Sequence, residues 1–308
     1  VYQDEAAAGI PPEAIKAIPV RHYGRWAGAV IVLGLLALLV AAFATADIQW
    51  SVVGDYLNHE TIIDGAANTL WITLVAMLLG VVLGTLLAMM RLSGNPVLSS
   101  VAYGYIWFFR GTPVLVQLFL WFNLALIFPT FSIRIGDFGF SEDMNSVMTP
   151  FVAALLGLGL NEAAYMAEIS RAGIQSVDRG QTEAAHALGM SSSRTTRRIV
   201  LPQAMRVIIP PTGNEFINML KTSSLAYAIQ YQELFLAGRN ISSRTLSVME
   251  MLIVVSIWYL LLTTVFSIGQ YYLERYYAKG RDHAPPPTPM QKIMKQLTTF
   301  RHQSELGR

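Results

Sequence analysis

The chain has 308 residues, 53% hydrophobic and only 14% charged, where an ordinary soluble domain carries about 25% charged residues. So few charges cannot clothe a solvated surface, which excludes a cytosolic globular protein. The net charge of +2, from 22 Lys+Arg against 20 Asp+Glu, gives no basis for binding nucleic acid, and the absence of cysteine excludes disulfides, thiolate metal sites and cysteine nucleophiles.

A helix needs about 20 mostly apolar residues to cross a bilayer. In chain order, Trp26 to Ala46 is uncharged for 21 residues, Ala66 to Met90 for 25 and Gly111 to Ile133 for 23. Met144 to Asn161 gives 18 uncharged residues, with a helix expected to continue past Glu162 toward Glu168, and Met251 to Leu273 gives 23. A weaker stretch, Thr222 to about Gly238, is interrupted by Glu233 and by the polar run Gln230, Tyr231, Gln232. Within the second span, Gly80 and Gly84 form a G-x-x-x-G pattern that permits close helix approach.

Charge decides whether the weak stretch counts. If all six cross, one side receives 19 basic residues, in segments 1–25, 91–110, 168–222 and 273–308, and the other side receives 3. That asymmetry is what the positive-inside rule requires. Without the weak span, the last seven basic residues would move outside. The expectation is an all-α integral membrane protein with six transmembrane helices and both termini cytoplasmic. The first apolar stretch is too long for a cleavable signal and reads as an anchor. Residues 276–308, with Pro285, Pro286, Pro287 and Pro289 among mixed polar and basic residues, read as a surface tail.

Between the fourth span and the weak one lies a polar segment too short for a domain. Gln181 to Leu188 reads as a short helix, with Gly189 suited to end it. Arg194, Arg197 and Arg198 follow, and Pro202 breaks or restarts the chain. Such a helix can dock in a groove of another protein, or rest as an amphipathic helix on anionic lipid. Composition alone leaves both readings open.

The spacing Glu183-Ala184-Ala185, three residues, Gly189, nine residues, Ile199, one residue, Leu201-Pro202 resembles the E-A-A-x3-G-x9-I-x-L-P signature of bacterial ABC importer permeases. Phe109 to Pro113, Ala164-Tyr165 with Glu168 and Arg171, Gly180-Gln181, and Pro210-Pro211 through Asn214-Glu215 to Leu225 are similar to the polar amino acid branch. The resemblance covers roughly residues 61–275 and leaves the helix 26–46, segment 1–25 and the tail outside it. It implies that about 180–202 is a coupling segment docked on a separate cytoplasmic ATPase, with Glu183, Ala184, Ala185, Gly189, Ile199, Leu201 and Pro202 carrying the contact. It also implies a second permease chain, identical or related, two cytoplasmic ABC ATPase subunits, and an extracytoplasmic binding protein that delivers a polar amino acid across the bacterial cytoplasmic membrane. The sequence has no G-x-x-x-x-G-K-[ST] phosphate loop. The chain is therefore expected to be no enzyme and to hold no cofactor or metal, with ATP and Mg on the partner ATPase.

Glu162 stands near the middle of a span, where a carboxylate costs about 2.5–3.5 kcal/mol and so tends to face the bundle interior or water. With Asn161 and Tyr165 it could receive an ammonium group, or it could pair structurally. Arg110 is one candidate partner for it and equally a candidate for a substrate carboxylate. Gln117 is a further polar candidate within a span. Glu168 and Arg171, three apart on one helix, are expected to pair. A stand-alone channel or ion-coupled carrier is the alternative reading, although no symmetric pair of broken helices marks a carrier site.

Overall fold

The computed structural model describes residues 23–135 and 138–278. Residues 1–22 and 279–308, hence most of the expected N-terminal segment and of the proline-rich tail, lie outside the described residues. Helix α1 (Tyr23–Thr45) is apolar all round, and its large side chains from Val30 to Phe43 are exposed. A helix with no polar face suits lipid on every side. It forms one unit of the chain, and the elements from Gln49 onward form the other.

The second unit is a helical bundle. A short helix α2 (Trp50–Leu57) is tied to the last helix α12 (Val248–Ala278) at both ends. The Gln49 N–H donates to Glu250 Oε1 at 3.0 Å, and Trp258 Nε1 donates to the Leu57 carbonyl at 2.9 Å. Helices α3 (Glu60–Arg91) and α7 (Pro150–Gln175) make the most extensive contact in the molecule. Apolar side chains gain little by leaving lipid for one another, so small residues must let two helices close up. Gly80 and Gly84 do this. A Cβ at Gly80 would stand 2.6 Å from Glu162 Cγ, and one at Gly84 would stand 2.6 Å from Met166 Cβ. Ala163 and Ala167 on the facing side are fully buried.

The third expected span, Gly111 to Ile133, is not one helix. Helix α4 (Pro96–Gly111) and helix α5 (Val114–Phe122) meet at an angle of 102°. Pro113 disfavours helical backbone at the residue before it, and Thr112 is extended, with φ −115° and ψ 144°. After α5 and a tight turn at Leu124–Leu126 the chain forms a hairpin. Strand β1 (Thr130–Ile135) pairs antiparallel with β2 (Phe138–Asp143), Thr130 opposite Asp143 and Ile135 opposite Phe138. The alternation Phe131-Ser132-Ile133-Arg134-Ile135 has the two-residue period of a strand, which a count of uncharged residues does not register. A single turn, α6 (Met144–Val147), leads into α7.

The weak sixth stretch, Thr222 to Gly238, is also not a helix. Helix α10 (Leu201–Thr222) ends in a 3-10 segment at Ser223–Ile229. Gln230 then takes a left-handed conformation with φ 63°, and helix α11 begins only at Leu234 and runs to Thr245. Ser223 and Ser224 donate their hydroxyls to the carbonyls of Leu220 and Lys221, at 2.8 and 2.7 Å, satisfying groups that a continuing helix would have used. Glu233, the charge that spoils the apolar run, is the N-cap of α11. Its carboxylate accepts from the N–H groups of Phe235 and Leu236, at 2.7 and 2.8 Å, and from the Tyr259 hydroxyl at 2.9 Å.

Helix α10 runs antiparallel to α7. A Cβ at Gly173, late in α7, would collide with Ile208 of α10, whereas Phe151 at the start of α7 lies 6.1 Å, ring to ring, from Tyr231 beyond the end of α10. A core of Ile72, Met77, Leu118, Leu158, Met219 and Ile229 joins α3, α5, α7 and α10 to the segment that follows α10. Among the described residues four helices are long and apolar enough to cross a membrane, or five if the bent α4–α5 pair counts as one crossing.

The close seam sets an expectation. Gly84→Val should cost about 1–3 kcal/mol through overpacking, read as a lower Tm of the purified protein in detergent. Gly104→Val, whose Cβ would meet nothing within 4 Å, should leave the Tm in place.

Candidate functional site

Two helical faces build a cavity of about 660 Å3. From α7 come Leu158, Asn161, Glu162 and Tyr165, and from α10 come Glu215, Asn218, Met219, Lys221 and Thr222. Each set repeats at three to four residues, so each lines one side of its helix. Val114 of α5, with Ser224 and Leu225 after α10, completes the wall.

Glu162 is the electrostatic centre of this cavity. It is 4% exposed, and its Oε1 has no hydrogen-bond partner. A buried carboxylate oxygen left unpaired is costly, and native structures pair such groups almost everywhere. Glu215 and Lys221 line the same space, so two carboxylates and one ammonium face one volume. This donor and acceptor set can hold a small zwitterion, taking cationic groups on the acids and a carboxylate on the lysine.

The residues expected from the sequence separate into two groups. Asn161, Glu162 and Tyr165 all line the cavity. Asn161 also donates Nδ2 to the Phe109 carbonyl at 2.7 Å, which fixes its orientation. Arg110 makes no ion pair with Glu162; its guanidinium instead lies 5.2 Å above the ring of Tyr165, a cation–π arrangement that presents a positive charge beside the cavity. Gln117 is 2% exposed and lies outside the lining. Its Nε2 faces the carbonyls of Phe109 and Thr112 and the Thr112 hydroxyl, at 3.0, 3.1 and 2.8 Å, and so closes the gap that the α4–α5 break opens. Glu215, Asn218, Lys221 and Thr222 escape a reading of the sequence as cavity residues, because the charge count puts all of 168–222 outside the membrane. Their spacing at i, i+3, i+6 and i+7 is the available signal.

The polar segment is built as a separate, stiff piece. Helix α8 (Arg179–Ala187) starts at Asp178, whose side chain accepts from the Gly180 N–H at 2.7 Å. It ends in a Schellman motif: the Gly189 N–H donates to the His186 carbonyl at 2.9 Å, and the Met190 N–H to that of Ala185 at 3.0 Å. This closure needs left-handed backbone, and Gly189 supplies it with φ +73°. Of the two alanines, Ala185 is buried and Ala184 is exposed, like Glu183. Leu188 is 83% exposed, and Leu201 is exposed as well. α8 packs on α9 (Ser192–Thr195) and on a π-helical turn at Thr196–Val200 that holds Ile199 half-buried. The wider turn precedes Pro202, which has no N–H to give to a regular helical ladder. At the end of α7, Arg171 pairs with Glu168 at 2.6 Å and donates to Gln175 at 2.6 Å, anchoring the exit into this segment as the spacing predicts.

Comparison with known proteins agrees with this architecture. Residues 80–279 match the family described as binding-protein-dependent transport system inner membrane component. The chain is 48% identical over 282 residues to the arginine transport system permease protein ArgU of Corynebacterium glutamicum, covering 90% of this chain and 88% of that protein. It is 35% identical over 228 residues to the glutamine transport system permease protein GlnP of Escherichia coli, covering 74% of this chain and 96% of that protein. Among solved structures it is similar to an amino acid ABC transporter crystallised with histidines, at TM-score 0.65 and 35% identity over 75% of this chain and 100% of that one. The inward-facing MetNI methionine ABC transporter shares the fold, at TM-score 0.58 and 18% identity over 72% of this chain and 98% of that one. The chain belongs to the family of inner-membrane components of binding-protein-dependent transport systems, the permeases of ABC importers.

Proposed function

We propose that this chain is the transmembrane subunit of an ATP-driven importer and that an amino acid passes through the cavity between α7 and α10. The observation that carries the reading is the unpaired Glu162 oxygen lining that cavity. Two carboxylates facing one lysine support a substrate with a cationic side chain: its ammonium and side-chain cation meet Glu162 and Glu215, and its carboxylate meets Lys221. The similarity to an arginine permease points the same way.

The remaining organisation follows from this reading. Six segments cross: α1, α3, the bent α4–α5 pair, α7, α10 with the extended connection to Gln232, and α12. The fifth crossing is thus α10, not the stretch after it. Its antiparallel run beside α7 supports this, as does the position of α11, which meets the N-terminal ends of α3 and α12 through Gly65 and Gly238. The basic surplus in segments 1–25, 91–110 and 273–308 supports cytoplasmic termini. The segment 180–202 is the coupling segment, with the exposed Glu183, Ala184, Leu188 and Leu201 as the surface for a partner ATPase. That ATPase holds and hydrolyses ATP with Mg, a binding protein outside delivers the amino acid, and a second permease chain completes the path.

Reconstitution tests the class of transporter. In proteoliposomes, uptake should require ATP and the co-purifying ATPase; uptake by this chain alone, driven by an ion gradient, would contradict the importer. The cavity is tested by Glu162→Gln. Losing one charge-assisted hydrogen bond is worth about 1.5–3 kcal/mol, so half-maximal uptake should need about ten- to a hundredfold more amino acid. Unchanged uptake would rule out the ammonium contact. For the coupling segment, Gly189→Asp forces a side chain into left-handed backbone at about 1–2 kcal/mol. It also adds charge at the exposed face, and pull-down of the ATPase should fall.

A further inference from the structure

Helix α10 joins the two working parts of the chain. Its N-terminal end continues from the π-helical turn on which α8 packs. Its C-terminal end carries Glu215, Asn218 and Thr222 into the cavity. Between the two stand Pro210 and Pro211, inside the helix. Neither has an N–H, so the carbonyls of Arg206 and Val207 lose their helical donors. Two consecutive rungs are missing where the docking half gives way to the cavity half. α10 is one continuous helix, but loss of ladder bonds at proline is an identifiable cause of bending, so this is the point where it resists bending least.

The joint is held from the neighbouring helix. Gln270 of α12 is 8% exposed, and its Nε2 donates to the Pro210 carbonyl at 2.6 Å and to Glu274 Oε1 at 3.0 Å. Gly213, about one turn beyond Pro210, makes this possible. A Cβ there would fall on the Gln270 amide. The seat therefore needs residues from both helices, with the proline carbonyl as acceptor and the glycine as space. About one turn farther along, the rings of Phe216 and Phe266 stand 4.8 Å apart, so the α10–α12 seam continues as apolar packing.

We propose that Gln270 is a positioning residue for transport. It latches the Pro210–Pro211 joint, so that motion imposed at the coupling end of α10 reaches the cavity end as a switch between two settings instead of being lost in bending. A single hydrogen bond in a packed seam suits such a latch. It is weak enough to break and re-form in each cycle, and packed helix seams in general switch between discrete arrangements instead of deforming continuously. This inference rests on the importer reading above.

The test uses the whole complex, with ATPase and binding protein, in proteoliposomes, and measures amino acid moved per ATP hydrolysed. ATP-dependent uptake by the wild-type complex secures the importer reading separately from the latch. Gln270→Leu keeps the volume and removes the donor. It should still co-purify with the ATPase and hydrolyse ATP, yet move several-fold less amino acid per ATP. The double change Pro210→Ala, Pro211→Ala restores the missing rungs, and should raise the Tm of the complex while lowering uptake several-fold. A purely structural role would predict the same gain in stability with uptake intact, so uptake is the deciding readout. Should Gln270→Leu fail to assemble, the proline pair decides alone. Wild-type transport per ATP in the double variant would overturn the latch.

Discussion

Inside a bilayer no water is available to take up a stray N–H or carbonyl, so a spanning helix interrupted at membrane depth must be repaired by side chains. Two interruptions among the described residues are repaired in this way. At Thr112–Pro113 the amide of Gln117 covers the freed carbonyls, with Asn161 reaching the same Phe109 carbonyl from α7. Before α11 the carboxylate of Glu233 takes the first N–H groups, Thr69 accepts from the Leu234 N–H at 3.1 Å, and Asn68 donates to the Gln232 carbonyl at 2.8 Å. At Pro210–Pro211, where the Arg206 and Val207 carbonyls lose their helical donors, Gln270 of α12 donates instead to the Pro210 carbonyl and so ties the two helices together at the gap. In both repairs a repairing group belongs to a different element or to the far side of the break. The repairs therefore also tie the bundle together, and the polar residues scattered through its apolar spans have structural work there.

That requirement explains why the spans are legible in the sequence to different degrees. α3 and α12 satisfy their own backbones and read directly as long uncharged runs, and α7 does so in its first half, the run Met144–Asn161 starting in the separate turn α6. The bent α4–α5 pair does not, because the uncharged run Gly111–Ile133 overlaps the break, a short helix, a turn and half of a hairpin. A hydropathy count responds to composition and is blind to the proline that redirects the chain. α10 is hidden for the opposite reason. Arg206, Pro210, Pro211, Glu215 and Lys221 give it the look of an extramembrane segment, although several of its polar groups face a cavity within the bundle. The charge asymmetry calls for a crossing between α7 and α12, and under the proposed topology α10 makes it, one segment earlier than the apolar run suggests.

The polar segment between α7 and α10 is the most legible part because its signals are local. Asp178 before a helix and Gly189 after it are capping chemistry, and the fixed spacing through Pro202 carries the family resemblance. The burial of Ala185 against the exposure of Ala184 is not readable. Both are small, and which one turns outward depends on how α8 packs on α9.

Three acids in or at the edge of the expected spans show how the same physics separates structure from function. Glu250 accepts the Gln49 N–H and so fastens α2 to α12. Glu233 is fully buried, but two N–H groups and a tyrosine hydroxyl compensate it. Each of these two carboxylates is held by hydrogen bonds that have a structural purpose. Glu162 retains an oxygen with no partner, on a helix held close to α3 by two glycines, with its carboxylate against a cavity that Glu215 and Lys221 also line. A glutamine there would meet the packing needs of α7 without the cost of a charge. Glu162 is thus the acid whose place the packing does not account for, and under the proposed function it is the one offered to a cationic group of the substrate.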